Sequence, residues 1–160
     1  MKNLRRNFRN QAGFNLIELM IVIAIIALLI GIGVPAWSSM IKSGNETSAA
    51  QTINTMKTLQ AQYASKHQGR FAPNFDELIK SVQLDEKFKG ESPVVNGYVF
   101  KMTVQEQTSS KPSFYSLTAD PQVPEGIAAT GTRHFYFDSN MATTKATEEN
   151  RPAKPEDPSI

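Results

Sequence analysis

The sequence of 160 residues predicts an α+β protein, in which a long N-terminal α-helix packs against a small antiparallel β-sheet head. Three observations predict this fold. An uninterrupted apolar run near the N-terminus has the length of a membrane-spanning helix. A helical pattern of apolar residues continues after it, and short segments farther on alternate between apolar and polar residues, as half-buried strands do. The apolar half of the helix is expected to span a membrane or to fill the core of an assembly.

Residues 1–13 form a basic leader that contains no acidic residue. Its four cations are Lys2, Arg5, Arg6 and Arg9. The whole chain has 17 Lys and Arg and 15 Asp and Glu. Four of the basic residues lie in the leader, so that in the rest of the chain acidic residues outnumber basic ones. The positive charge is therefore a property of the leader, and we predict no nucleic-acid binding by the remainder.

The hydrophobic helix is predicted for residues 14–35. Leu19–Val34 contains no polar side chain at all. As a helix, residues 14–34 would be about 31 Å long at about 1.5 Å per residue, which matches the thickness of a bilayer's hydrocarbon core. The positive-inside rule keeps the leader in the cytoplasm and places the chain after the span outside it.

Glu18 is the one acidic residue inside this span. A charge there costs on the order of 2.5–3.5 kcal/mol at the bilayer centre and less toward the ends, so that a partner is expected. The segment between Arg9 and Lys42 has no Lys, Arg or His. Cleavage after Gly13 would create an α-amino group on Phe14, which could neutralise Glu18 in the same chain or in a neighbour. The alternative is a Glu18 side chain that reaches water at the bilayer surface.

This N-terminal stretch resembles that of type IV pilins and type II secretion pseudopilins. In that family, a short basic leader ends in Gly and an aromatic residue follows. A Glu lies four residues after the aromatic residue, and a Pro often lies seventeen residues beyond the Glu. The matching residues here are Gly13, Phe14, Glu18 and Pro35. Asn15 occupies a place where Thr or Ser is commoner.

The resemblance implies a filament subunit that is made as a single-pass inner-membrane precursor. A prepilin peptidase and methyltransferase would cut the Gly13–Phe14 bond and methylate the Phe14 amine. Inner-membrane assembly machinery would then build a polymer of like subunits, with the helix in the fibre core and Glu18 paired with the Phe14 amine of the adjacent subunit. The first expectation is an extracellular type IV pilus, and the alternative is the periplasmic pseudopilus of a type II secretion system.

Other classes of protein are also compatible with parts of the sequence. Val34–Ala36 has the small-residue spacing of a signal peptidase site, so a secreted binding protein released after Ala36 stays open. Gly31–Ala36 matches a G-x-G-x-x-A string, but Pro35 and the lack of an acid about twenty residues later argue against a dinucleotide fold. The sequence offers no acid–base–nucleophile constellation, which disfavours an enzyme.

After Pro35 the helix is expected to become amphipathic over residues 36–66 and to end near Gly69. Glycines and Pro35 at the junction of the two halves would permit a kink. A globular head is predicted for residues 67–144, beginning with a short helix that Asn74 caps and that runs through Val82. A loop over Gly90–Gly97 follows.

Three strands are predicted from alternation, at Tyr98–Val104, Ser113–Ala119 and Arg133–Phe137, and a short fourth one at Met141–Thr144. One face of this sheet is expected to be dry and the other wet. The segment 145–160 is rich in Pro, Thr, Glu and Lys and is predicted to be a disordered tail.

Metal or cofactor binding is not predicted. The chain has no cysteine, so thiolate zinc sites and disulfides are excluded. Asp120, Asp138 and Asn140 would collect a calcium ion only if their loops converged. His67 and His134 are isolated in the sequence and are expected to be solvated.

Overall fold

The structure is a computed structural model that describes residues 14–108 and 110–160. It divides into two compact units, Met1–Trp37 and Ser38–Ile160. The leader predicted at 1–13, including Gly13, lies outside the described residues. Helix α1 (Leu16–Lys66) begins in the first unit and ends in the second.

In the first unit, α1 carries the predicted apolar run. Every residue from 14 to 37 is exposed. The helix continues through Pro35 and is not interrupted at Gly31 or Gly33. Of the helices in the described chain, α1 alone is long and apolar enough to span a membrane, and none of its apolar window is buried.

In the second unit, the rest of α1 is amphipathic, as predicted. Its buried residues are spaced by three or four along the chain, which places them on one side of a helix. They are Ala49, Ile53, Met56, Gln60 and Tyr63. Ile41 lies about two helical turns before Ala49 and is 45% exposed, because the buried core begins at Ala49.

Helix α2 (Phe75–Val82) confirms the predicted start and end of the short helix. The Asn74 side chain accepts a hydrogen bond of 2.8 Å from the Glu77 backbone N–H, which satisfies one of the free donors at the helix start. Gln83 ends α2 in the left-handed conformation, and a 3₁₀ turn follows at Glu86–Phe88.

The sheet is an antiparallel meander of five strands in chain order. They are β1 (Val94–Val95), β2 (Tyr98–Gln105), β3 (Phe114–Pro121), β4 (His134–Asp138) and β5 (Lys145–Thr147). The three main strands agree with the prediction to within one or two residues at their ends. β1 lies inside the predicted 90–97 loop and was missed because a two-residue strand has no period to detect.

The core forms between the second part of α1, α2 and one face of the sheet. Register aligns Phe100 with Ala119 and Ala119 with Phe135, so that these side chains share a face. All three are at most 1% exposed. The expected dry face of the sheet is present, since Tyr98 and Phe100 of β2 and Phe135 and Phe137 of β4 are buried at alternate positions, and the fold class is α+β.

The C-terminal segment is ordered, which corrects the prediction of a disordered tail. The predicted fourth strand at Met141–Thr144 is also wrong, because β5 starts at Lys145. The Ala146 N–H donates to the Pro158 carbonyl at 2.9 Å, and the Ile160 N–H donates to the Thr144 carbonyl at 3.0 Å.

A bidentate ion pair closes the loop between these paired stretches. Arg151 Nη2 and Nη1 lie 2.7 and 2.9 Å from Asp157 Oδ1 and Oδ2. This pair holds the pKa of Asp157 at about 2, chiefly through the hydrogen bonds from Arg151. These contacts outweigh the local composition that favours disorder.

Candidate functional site: the N-terminal apolar helix

Asn15 and Glu18 together cap the start of α1. The Asn15 Oδ1 accepts a hydrogen bond from the Ile17 N–H at 3.2 Å. Glu18 Oε2 accepts one from the Asn15 N–H at 3.3 Å. This differs from a full capping box, because Glu18 satisfies the Asn15 N–H whereas Asn15 satisfies the N–H of Ile17 rather than that of Glu18. Sequence reasoning missed the role of Asn15, although Asn-x-x-Glu before an apolar run is its signal.

The cap turns the Glu18 carboxylate toward the N-terminal end of the helix. Free backbone N–H groups and the helix dipole give this end a partial positive charge, which favours an anion. Phe14, the residue on which cleavage would create an amine, directly precedes the cap and is 90% exposed. Pro35 lies seventeen residues after Glu18, about 26 Å farther along the helix at about 1.5 Å per residue, and so belongs to a separate place on α1.

The rest of this helix presents aliphatic side chains on all sides. Within residues 14–34, the large hydrophobic residues that are about half exposed or more are Phe14, Leu16, Ile17, Leu19, Met20, Ile21, Val22, Ile23, Ile25, Ile26, Leu28, Leu29, Ile30, Ile32 and Val34. An apolar surface of this extent requires lipid or the apolar surface of other helices. Such a helix can anchor the chain in a bilayer and pack against copies of itself.

His134 is not solvated, contrary to prediction. It is 6% exposed, and its Nδ1 lies 2.6 Å from Asp120 Oδ1 on the neighbouring strand β3. The pairing of β3 with β4 brings these residues together, which the sequence positions alone do not show. His67 is exposed, as predicted, and stacks on Tyr63 with 3.9 Å between the ring centroids.

The candidate calcium ligands do not converge. Asp138 is opposite Ser116 in the β3–β4 ladder, whereas Asp120 lies four residues farther along β3, about 13 Å away at about 3.3 Å per residue. The Asp138 Oδ1 accepts a hydrogen bond from the Asn140 N–H at 2.8 Å. Within 14–108 and 110–160, no three His, Asp or Glu side chains lie together in a way that could hold a metal ion.

Asp138 also binds a tyrosine on the same strand. Its Oδ2 accepts a hydrogen bond from the Tyr136 hydroxyl at 3.1 Å. Burial, followed by this hydrogen bond and the nearby carboxylate charge, raises the pKa of Tyr136 to about 12. The pair therefore stabilises the strand end rather than offering free ligands.

Comparison with known proteins agrees with this site. Residues 8–34 match the model of the prokaryotic N-terminal methylation motif. Prepilin peptidase-dependent protein D of Escherichia coli (strain K12) is 42% identical over 59 residues, which are 37% of this chain and 40% of that protein. Competence protein ComGC of Halalkalibacterium halodurans is 29% identical over 75 residues, which are 47% of this chain and 72% of that protein.

These similarities confirm the predicted resemblance. The chain combines a match to the prokaryotic N-terminal methylation motif with a long apolar helix and a small antiparallel sheet. The match spans less than half the length of protein D.

Proposed function

We propose that this chain is the precursor of a structural subunit of a type IV pilus-like filament. The proposal rests mainly on the position of one acidic residue, Glu18, in the first turn of an exposed apolar helix. The methylation motif over residues 8–34 supports it. The role is structural rather than catalytic.

Processing is proposed at the Gly13–Phe14 bond. A prepilin peptidase at the inner membrane hydrolyses this amide on the cytoplasmic face, and the freed Phe14 amine is then methylated. The new amine lies next to the cap that holds the Glu18 carboxylate. Cleavage thus supplies a cation within reach of the one acid of the span.

Assembly is proposed to depend on Glu18. In a dry bundle of helices, loss of one partner of a buried ion pair costs about 3–5 kcal/mol. A subunit added in the wrong axial register would leave Glu18 without the Phe14 amine of its neighbour, and this penalty selects the correct register. Apolar spans gain little by exchanging lipid for protein, so that close packing and this ion pair decide association.

Pro35 is proposed as a second assembly residue. It has no backbone N–H, so the carbonyl of Gly31 loses its helical partner and the helix is weakened there. We expect this place to let the apolar half adjust when it leaves the bilayer for the fibre core.

N-terminal sequencing and mass spectrometry of the mature protein test the processing step. The expected first residue is N-methylated Phe14. A chain that starts at Trp37 would instead identify a secreted protein released after Ala36. The Gly13→Val variant is expected to stay in the membrane as an uncut precursor.

Fibre yield tests the assembly step. Glu18→Ala is expected to be cut normally but to yield few sheared fibres. Ser39→Ala, which removes an exposed polar group from the same helix, serves as the control and is expected to assemble like the wild type. A wild-type yield from Glu18→Ala would contradict the ion-pair mechanism.

A pseudopilin of a type II secretion system is the second candidate, because its N-terminal pattern is the same as that of a pilin. The location of the polymer separates the two. Fibres released from the cell surface by shearing identify a pilus, whereas a short polymer retained in the periplasm identifies a pseudopilus.

A further inference from the structure

The loop between β3 and β4 presents an isoleucine to solvent. Ile127 is 88% exposed, more than any other large hydrophobic residue of the second unit. It follows Gly126, whose φ of +90° lies in the left-handed region and shapes the turn. The Ala129 N–H closes this turn on the Gly126 carbonyl at 3.2 Å. From Gly126 to Thr132 the loop carries no charged side chain.

Hydrogen bonds fix the loop at its stem. The Thr130 carbonyl accepts one from Asn45 Nδ2 at 2.8 Å, and the Thr130 hydroxyl donates one to the Gly97 carbonyl at 2.7 Å. Glu46 Oε1 accepts two from Thr132, at 2.9 and 2.8 Å. The loop is therefore tied to both α1 and the sheet. Ile127 is therefore exposed on a turn whose stem is fixed by hydrogen bonds.

The loop tip lies next to the first residue of the second unit. The Ser38 hydroxyl donates a hydrogen bond to the Ile127 carbonyl at 3.4 Å. Ser38 follows Val34, the last residue of the apolar run, by four residues, which span at most about 14 Å even in an extended chain. Whatever the arrangement of the two units, Ile127 thus stays close to the point where the chain leaves the hydrocarbon. Headgroups extend about 5–8 Å beyond the hydrocarbon on each side of a bilayer.

Two exposed apolar side chains follow the apolar run in the sequence, close to Ser38. Met40 is 73% exposed and Ile41 is 45% exposed, and both lie within three residues of Ser38. An aliphatic side chain on an uncharged turn, in contact with a residue that follows the apolar run by four positions, is suited to the boundary between headgroups and acyl chains. Recognition of a protein partner at this position would be expected to use aromatic or arginine side chains, which the tip lacks.

We propose that the 126–128 tip of this loop contacts the lipid surface in the membrane-anchored precursor, with the Ile127 side chain inserted at the headgroup–acyl boundary of the leaflet that faces away from the leader. The proposal rests on the proposed function, because it requires an anchored precursor. The contact would hold the second unit against the bilayer until the subunit is extracted into the filament.

The cysteine-free sequence provides a direct test. Ala128→Cys in the full-length precursor, labelled with an environment-sensitive fluorophore, is reconstituted into phosphatidylethanolamine–phosphatidylglycerol vesicles at about one chain per vesicle. Quenching by lipids brominated on the acyl chain is compared with quenching by aqueous iodide. We expect the lipid quenching to be at least threefold greater than for a control label at Gln107→Cys.

The control lies beyond the far end of β2. Gly97, which holds the loop, precedes the start of β2, and Gln107 follows its last residue. The eight residues of β2 extend about 26 Å at about 3.3 Å per residue, so that the control label lies far from the tip on the same unit. Adding Ile127→Ser to the Ala128→Cys chain should lower lipid quenching to the control level, because it removes the inserted side chain and leaves the loop stem intact.

Three outcomes overturn the proposal. Equal iodide access at 128 and 107 in chains that resist alkaline extraction from the vesicles refutes the lipid contact and leaves the proposed function standing. A label that becomes shielded only when many chains share a vesicle identifies a second copy as the occupant. Chains that alkaline extraction releases are not anchored, and this result overturns both the contact and the proposed function.

Discussion

Replacing Gln60 tests how the end of α1 is joined to the rest of the head. Gln60 is fully buried, and its side chain binds both backbone groups of one residue, Ala72. Its Oε1 accepts from the Ala72 N–H at 2.9 Å, and its Nε2 donates to the Ala72 carbonyl at 3.1 Å. Ala72 is also fully buried, so water cannot replace these bonds. Gln60→Leu keeps the size of the side chain and removes both partners.

The expected cost follows from these two bonds. Each buried backbone group left without a partner costs about 1–3 kcal/mol, so that Gln60→Leu, which orphans two, should lower the free energy of unfolding by about 2–6 kcal/mol. With the middle of that range, about 4 kcal/mol, and a urea m-value of about 2 kcal/mol/M, the midpoint should fall by about 2 M. The assay is urea unfolding of the full chain in non-ionic micelles, followed by circular dichroism.

Gln62→Leu is the matched control. Gln62 is the same residue type on the same helix but is exposed, and its substitution should change the free energy of unfolding by at most about 0.5 kcal/mol. Equal midpoints for the two variants would refute the argument that the bonds to Ala72 stabilise the head.

Three further changes have expected outcomes. A Cβ at Gly131 would lie 2.2 Å from the hydroxyl oxygen of the buried Tyr98, so Gly131→Ala should destabilise the head by about 1–3 kcal/mol in the same urea assay. The pKa of Tyr136, raised to about 12, means that the folded state keeps a proton that the unfolded state releases near pH 10. Its contribution to stability is therefore complete below about pH 10 and is lost as the pH rises to about 12, which a pH series of unfolding midpoints measures. Asn15→Ala removes the helix cap and should cost about 1 kcal/mol at the start of α1, seen as faster amide exchange at Ile17.

Each of these predictions has its own control. Gly44→Ala adds a methyl group to α1 where no atom lies within 4 Å, and should stabilise the helix by about 0.5–1 kcal/mol. Equal effects at the two glycines would contradict the proposed clash. Tyr136→Phe should flatten the alkaline loss of stability, and an unchanged profile would assign that loss to other groups. Asn15→Ser keeps a cap and should exchange like the wild type.

The helices and strands whose apolar residues recur at a regular spacing were predictable from the sequence. The spacing of Ala49, Ile53 and Met56 gives the buried side of α1, and the alternation from Tyr98 to Phe100 gives the inner face of β2. Asn74 predicted the start of α2 because capping is local chemistry that adjacent residues reveal. The match to the N-terminal methylation motif could be anticipated for a similar reason, since the basic leader, glycine–aromatic junction, acid and apolar run are contiguous in the sequence.

What the sequence did not reveal depends on residues that are far apart. Gln60 has the polarity of a surface residue, and only the backbone of Ala72 explains its burial. His134 is buried because β3 brings Asp120 to it. The composition of the C-terminal segment favours disorder, and only pairing with β5 and the Arg151–Asp157 ion pair shows why it is ordered. Asn15 is the exception, because its capping role was readable locally and was missed.

The two edge strands of the sheet are short or covered. At one border β1 has only two residues, and at the other residues 158–160 hydrogen-bond alongside β5. A long exposed edge strand would let the sheets of neighbouring chains pair strand to strand, as in amyloid. If the chain accumulates in the membrane as the proposed function requires, such strand pairing would compete with assembly. Because both edge strands are short or covered, association of subunits in the proposed filament would be left to contacts between helices, which are reversible.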